Sequence, residues 1–334
     1  MPRRELTLEE LVDGVRVADR RALARAISLV EDGDPLAYPV VRALYPETGG
    51  AVIVGVTGPP GVGKSSLVGA LVGHLRRLER TVGVVSVDPS SPFSRGALLG
   101  DRIRLSEHFL DPEVYIRSMG TRGHLGGLAE ATLQAVLLLD AARKDVVFVE
   151  TVGAGQSEVE VTGIADSVVL VLMPGSGDSV QALKAGIMEI PDVIAVNKMD
   201  HPGAKTMLNE VRSIVALAEP DRRPPILLTE ALRGENVAEL WAAIEERRAV
   251  LAADGRLEER RRKNLAAEVF AVASSRASAH LRTAVAGDPE LQRVLAKVEA
   301  RELDPLTAVR ELMEGVFRLG SDPRGPAPTE ESHE

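Results

Sequence analysis

Four short runs of the chain are almost wholly apolar and rich in valine, and each stops at a loop bearing glycine, proline or an acid. They are Ala51–Thr57, Thr81–Val87, Asp145–Val149 and Asp192–Val196. Runs of this length with no polar alternation fit strands buried on both faces, as in a parallel sheet. The segment after the first of them, Ser65–Leu75, changes to helical spacing, and residues 51 to about 248 go on alternating the two patterns. That alternation predicts an α/β unit with helical crossovers. Ahead of it, residues 5 to 45 read as short amphipathic helices that end near Pro46 and Gly49-Gly50. Behind it, no glycine or proline interrupts Arg256–Val285, and Asp304-Pro305 opens a further helix with a cap and a proline at its first position. The tail from Gly320 is polar, proline-rich and expected to be disordered. The chain thus divides into 1–48, 49–250, 251–319 and 320–334.

The loop after the first strand is Gly58-Pro-Pro-Gly-Val-Gly-Lys64-Ser65, which fills the P-loop pattern between a strand and a helix. Gly58, Gly61, Val62, Gly63, Ser65 and Ser66 would close backbone N–H groups around a polyphosphate, with the helix N-terminus adding positive potential. Lys64 would reach the β- and γ-phosphates and Ser65 would offer its hydroxyl to Mg²⁺. The predicted fold is therefore a P-loop NTPase, a mostly parallel central sheet flanked by helices. A second motif, Asn197-Lys198-Met199-Asp200, directly follows a strand. A carboxylate at Asp200 can accept from both N1–H and the 2-amino group of guanine, a donor pair that adenine lacks. GTP and GDP are the expected ligands.

Two further strands end in acids. Glu150 closes the run Val146-Val-Phe-Val149, and Asp88 follows Val87 ahead of a proline turn. Ligands of open α/β sheets gather at the carboxyl ends of strands, so Lys64, Asp88 and Glu150 should converge, with Ser65, Asp88 and Glu150 around a metal. For Asp88 a plain turn carboxylate is the competing reading. Gly153 leaves room for a backbone N–H near a γ-phosphate. Ala154 follows it where small GTPases carry a water-orienting glutamine, and Gln156 comes later, so unassisted hydrolysis should be slow. Among Arg95, Arg102, Arg104, Arg117 and Arg122, any of which could swing to the phosphates, glycine-flanked Arg122 is the first candidate.

The strings Thr57–Ser65, Val87–Pro92, Leu99–Arg104, Ile116–Leu128, Val149–Glu158 and Val196–Asp200, with Asp19–Ile27 ahead of them, resemble the MeaB/ArgK family of GTPases, of the SIMIBI class, from about residue 5 to about 318. The resemblance implies a chaperone for adenosylcobalamin-dependent acyl-CoA mutases, chiefly methylmalonyl-CoA mutase, and a homodimer built largely from the C-terminal helices. It places Asp101 with Asp88 and Glu150 in the metal and switch region. It sets Lys184 on a mobile segment through which the mutase stimulates hydrolysis. Two positions depart from the family pattern. Arg95 stands where glycine is common, and Glu230 replaces the usual serine of the last guanine motif, where the Ala231 N–H would still meet the guanine carbonyl. Older naming of relatives as transport kinases keeps a second reading open, a phosphotransferase using the same P-loop on a metabolite or protein.

Composition narrows the partners. A net charge of −9 argues against general nucleic-acid or anionic-membrane binding. The absence of cysteine excludes disulfides and any cysteine-based metal or redox site. The six histidines show no ligand spacing, and neither a signal-type apolar segment nor a membrane-length run is present, so a cytoplasmic protein is expected.

Overall fold

The computed structural model describes residues 6–88, 105–120, 127–151, 163–175, 191–220 and 223–317. It falls into two compact units, 1–269 and 270–334. The tail from residue 318 lies outside the described residues.

The first unit is built on seven parallel strands: β1 (Val52–Thr57), β2 (Val82–Asp88), β3 (Val114–Gly120), β4 (Val146–Thr151), β5 (Ser167–Leu172), β6 (Val193–Val196) and β7 (Ile226–Leu228). Their spatial order is β3-β2-β4-β1-β5-β6-β7, and every neighbouring pair runs parallel. The valine runs explain the arrangement, because alternate residues of one strand feed two different cores. Val82 and Val84 of β2, Val146 and Phe148 of β4, and Val54 and Val56 of β1 enter one core, shared with α4 (Lys64–Arg77) and α7 (Val237–Ala253). Val85, Val87, Val147 and Val149 enter the other.

That second face is covered by α5 (Gly127–Ala141) together with the N-terminal helices α1 (Leu8–Arg16), α2 (Arg20–Asp32) and α3 (Ala37–Leu44). Each of the first two helices starts on a side-chain cap. Thr7 and Glu10 form a reciprocal capping box, and the Asp19 carboxylate accepts from Ala22 N at 2.7 Å. Leu11, Val15, Leu23 and Ile27 then fall on the inward side at helical spacing and are fully buried. Helices α1, α2 and α3 are thus a layer of the sheet's own core. A polar tie adds to it: Arg117 on β3 donates to Ser28 Oγ and to the Glu31 carboxylate. Arg117 therefore anchors α2, which removes it from the group of arginines free to swing toward a phosphate.

A third small core joins β5 and β6 to α6 (Ala204–Val215). The amino ends of the central strands are clamped by the first turns of α8 (Arg256–Gly287). Arg261 pairs with buried Asp166 at 2.6 Å and also donates to the carbonyls of Gly49 and Ala51. Arg260 bridges the Asp192 carboxylate with bonds of 2.6 and 3.0 Å. Buried carboxylates are strongly destabilising without such partners. Asp140 does the same for the entry to β1, accepting from Gly49, Gly50 and Ala51. Strand β1 is therefore fixed at its base, and its carboxyl end leads into the loop at Gly58.

Within the second unit, α9 (Pro289–Glu299) and α10 (Pro305–Phe317) pack on each other and on the end of α8, with the Phe317 and His280 rings 5.8 Å apart. Asp304 caps α10 by accepting from Leu306 and Thr307, both at 3.0 Å. Phe270, Leu306 and Val309 are exposed large apolar side chains of this unit. Among the described residues no helix is long and apolar enough to cross a membrane.

Candidate functional site

The loops that follow β1, β2, β4, β6 and β7 all leave the same edge of the sheet, as parallel topology dictates. At the end of β1 the chain turns through Gly58 and enters α4 at Gly63. Both glycines are demanded by geometry. Gly58 has φ +140° and an added Cβ would lie 2.1 Å from the Val171 carbonyl oxygen. Gly63 has φ +94° and an added Cβ would lie 2.5 Å from Asn197 Nδ2. No side chain caps the N-terminus of α4, so its first-turn N–H groups stay available to an anion.

Lys64 is buried and folds back over the loop, donating to Gly58 O at 2.6 Å and Pro59 O at 3.0 Å. A polyphosphate entering the loop would meet this ammonium group at its centre. Next to it, Ser65 Oγ donates to Glu150 Oε1 at 2.5 Å, and Ser86 Oγ approaches Glu150 Oε2 at 3.4 Å. Register places the strand-end acid: Glu150 sits opposite Val56 of β1 and Ser86 of β2. This buried set offers only oxygen donors, which suits a hard ion such as Mg²⁺ that keeps waters and phosphate oxygens in its shell, and not a soft metal. Among the described residues no group of three or more His, Asp or Glu could by itself hold a metal ion. Asp88 ends β2 opposite Gly120, at the same sheet edge.

Asn197 connects the loops. Its amide Nδ2 donates to Val62 O in the P-loop at 2.9 Å, and its Oδ1 accepts from Thr229 Oγ1 at 3.3 Å and Ala231 N at 3.2 Å. One buried side chain thus ties the loops after β1, β6 and β7. Lys198, in left-handed backbone with φ +59°, stretches over the P-loop to Gly61 O at 3.2 Å. Asp200, two residues further on, is exposed. The Ala231 N–H is already given to Asn197, so a base oxygen would have to share it or displace that bond.

Among the site residues expected from the chain, Gly58, Gly61, Val62, Gly63, Lys64, Ser65, Ser66, Glu150, Asn197, Lys198, Asp200 and Ala231 lie around this one edge. Asp101, Gly153 and Lys184 lie outside the described residues, as do Arg95, Arg102, Arg104, Arg122 and Gln156. Two participants were not expected. Ser86 is a lone hydroxyl in an otherwise valine-and-glycine strand, and Thr229 is a buried threonine beside the last motif; each polar interruption of an apolar run is the signal.

A family model described as Methylmalonyl Co-A mutase-associated GTPase MeaB matches residues 23–286. A Pyrococcus abyssi protein named as a GTPase is 44% identical over 319 residues, covering 94% of this chain and 98% of its own. GTPase ArgK of Escherichia coli is 34% identical, covering 93% of this chain and 97% of its own. The methylmalonic aciduria type A homolog of Caenorhabditis elegans, a mitochondrial protein, is 34% identical, covering 77% of this chain and 70% of its own. A solved structure named as LAO/AO transport system kinase superposes with a TM-score of 0.71 at 29% identity, covering 94% of this chain and 99% of that one.

Proposed function

The chain belongs to the methylmalonyl Co-A mutase-associated GTPase MeaB family, and from that premise we propose that it is a GTP-binding and GTP-hydrolysing chaperone. Its client would be an adenosylcobalamin-dependent acyl-CoA mutase, methylmalonyl-CoA mutase first, whose cofactor loading it gates. The observation that carries the nucleotide site is Asn197 binding the P-loop carbonyl of Val62 and the Ala231 N–H at once, and the guanine assignment adds to it the Asp200 carboxylate three residues on. The Asn197 side chain makes the phosphate loop and the base loops one rigid site. The mutase assignment is supported by the family's description and by the name of the C. elegans relative.

In this reading the P-loop N–H groups and Lys64 hold the β- and γ-phosphates, and Asp200 receives the guanine edge. Bound Mg²⁺ would supply charge neutralisation at the phosphate oxygens, held through Ser65 with Glu150 and Asp88 beside it. Glu150 keeps Ser65 Oγ oriented and balances the charge of the metal. Glu150→Gln preserves the shape and removes that charge, so the Mg²⁺ concentration giving half-maximal hydrolysis should rise several-fold, a shift of about 1 kcal/mol or more. Unchanged Mg²⁺ dependence in steady-state assays would take Glu150 out of the metal site.

Alone, the protein should turn over on the order of 10⁻⁴ to 10⁻² s⁻¹, the range of unassisted GTPases. A cognate mutase should accelerate it, with Lys184 acting in the docked state. The experiment is a GTPase titration with purified methylmalonyl-CoA mutase, parent against Lys184→Ala. Stimulation of the parent that the variant loses supports the reading, and equal stimulation of both removes Lys184. A homodimer through the exposed apolar residues of α8 and α10 and a cytoplasmic location complete the proposal. The name of the superposed structure favours one second reading, a phosphotransferase. Transfer of the γ-phosphate to a small molecule or protein, with no response to any mutase, would select it.

A further inference from the structure

One acid at the base end of the site has no part in the scheme above. Glu230 follows β7 and is 5% exposed, and its backbone is locked by a two-way bridge to Glu235, 3.1 Å in each direction. Its Oε1 takes a long bond from Leu232 N at 3.4 Å. Its Oε2 is buried, and no N–H or O–H among the described residues reaches it. The Glu230 and Asp200 carboxyls lie within hydrogen-bonding reach of each other. Two ionised carboxylates in contact would leave a buried acceptor unpaired and set like charges together. A single proton removes both costs, because a protonated carboxyl is a donor and its ionised neighbour an acceptor.

Resting on the guanine-nucleotide reading, we propose that Glu230 is a positioning residue for base recognition: as the neutral acid it donates to the Asp200 carboxylate and holds it toward the guanine edge.

The surroundings decide where the proton sits. Contact with Asp200, then burial, hold the Glu230 carboxyl above the usual range. The bond from Glu230 holds Asp200 below it, and the charges of Arg233 and His201 act in the same direction. Arg233 also lies 3.9 Å from Glu235, which tempers its effect on the pair. The exposed partner is therefore the anion and the buried one the acid. A guanine seated on the Asp200 carboxylate covers both carboxyls and strips the water that screens them, which adenine, lacking the donor pair, does not, so ionising Glu230 becomes harder in the guanine complex than in the free protein. The folded pKa is thus raised further by the ligand, and binding takes up a proton. Affinity is full below the free-protein pKa of Glu230 and falls as pH rises toward its value in the complex. Each unit of difference between the two corresponds to about 10-fold in affinity.

The test measures dissociation constants for GDP and ADP by calorimetry between about pH 5 and about pH 9, for the parent, Glu230→Gln and Glu230→Ser. Both replacements supply a donor that does not titrate, and serine serves if glutamine disturbs the loop. Titration of the nucleotide phosphates affects all three proteins alike and cancels in the ratio of parent to variant. The expected result is a GDP affinity ratio, parent over variant, that falls about 10-fold with rising pH while the ADP ratio stays flat. Parallel pH profiles for parent and both variants overturn the proposal, as does a ratio that moves equally for ADP. A parent that binds ADP as tightly as GDP across the range defeats the guanine reading itself, and that failure is visible without any substitution at Glu230.

Discussion

Replacing Asp200 by alanine is expected to weaken GDP and GTP on the order of 100-fold or more while leaving the weak binding of ATP unchanged. The carboxylate stands beyond β6, on a loop pinned at Met199 N to Thr229 O (3.0 Å) and at Asn197 to the P-loop, so the rest of the site keeps its shape when the side chain is cut back. The lost interaction is specific to one base: guanine presents N1–H and its amino group together, and a site built around that pair discriminates strongly against a ligand without it. Calorimetry of parent and variant with the four nucleotides measures the effect. Equal loss for ATP and GTP would mean that Asp200 acts on the phosphates or on folding, not on the base.

Lys64→Ala should lower the turnover number by roughly 10²–10³-fold with any nucleotide. In the absence of ligand the ammonium group is held by the carbonyls of Gly58 and Pro59, at the heart of the loop. From there it is placed to meet negative charge developing on a transferring phosphoryl group, which is where a positioned cation contributes most. Single-turnover hydrolysis at saturating nucleotide separates the two effects. A variant that hydrolyses as fast as the parent once saturated would reduce Lys64 to a binding residue.

The contrast between what the chain discloses and what it hides follows contact distance. The P-loop, Glu150 and the Asn197–Asp200 motif are legible because each is a strand end followed by its own local loop. The cap at Asp304 is legible because it too is local, an acid directly ahead of a proline that opens a helix. The valine strands β1, β2, β4 and β6 stand out by their continuous apolar runs, whereas three-residue β7 is too short to show a pattern of its own. The N-terminal helices carry an apolar face in the sequence, but nothing local says that Leu11 and Ile27 share a core with Val147 and Val149 across more than 100 residues. Asn197 reads as a base contact, yet its bonds to Val62 and Ala231 span 135 and 34 residues and depend on the order of three strands. Glu230 is visible as a departure from the family serine. Its contact with Asp200 becomes visible only once the register of β6 and β7, with Val196 opposite Leu228, brings the two loops side by side. Arg117 is the instructive reverse, a residue in a suggestive arginine-rich stretch whose side chain turns away from the loop edge to Glu31.

The central claim is that guanine-nucleotide state governs association with a cobalamin-dependent mutase, and linkage makes it directly measurable: if the bound nucleotide sets docking, the GTP and GDP forms bind the mutase with different affinity. The decisive measurement is the affinity of the protein for purified methylmalonyl-CoA mutase by sedimentation velocity, once with a non-hydrolysable GTP analogue and once with GDP. The account predicts a complex whose dissociation constant differs between the two by about 5-fold or more. No complex in either state, or the same affinity in both, would contradict it.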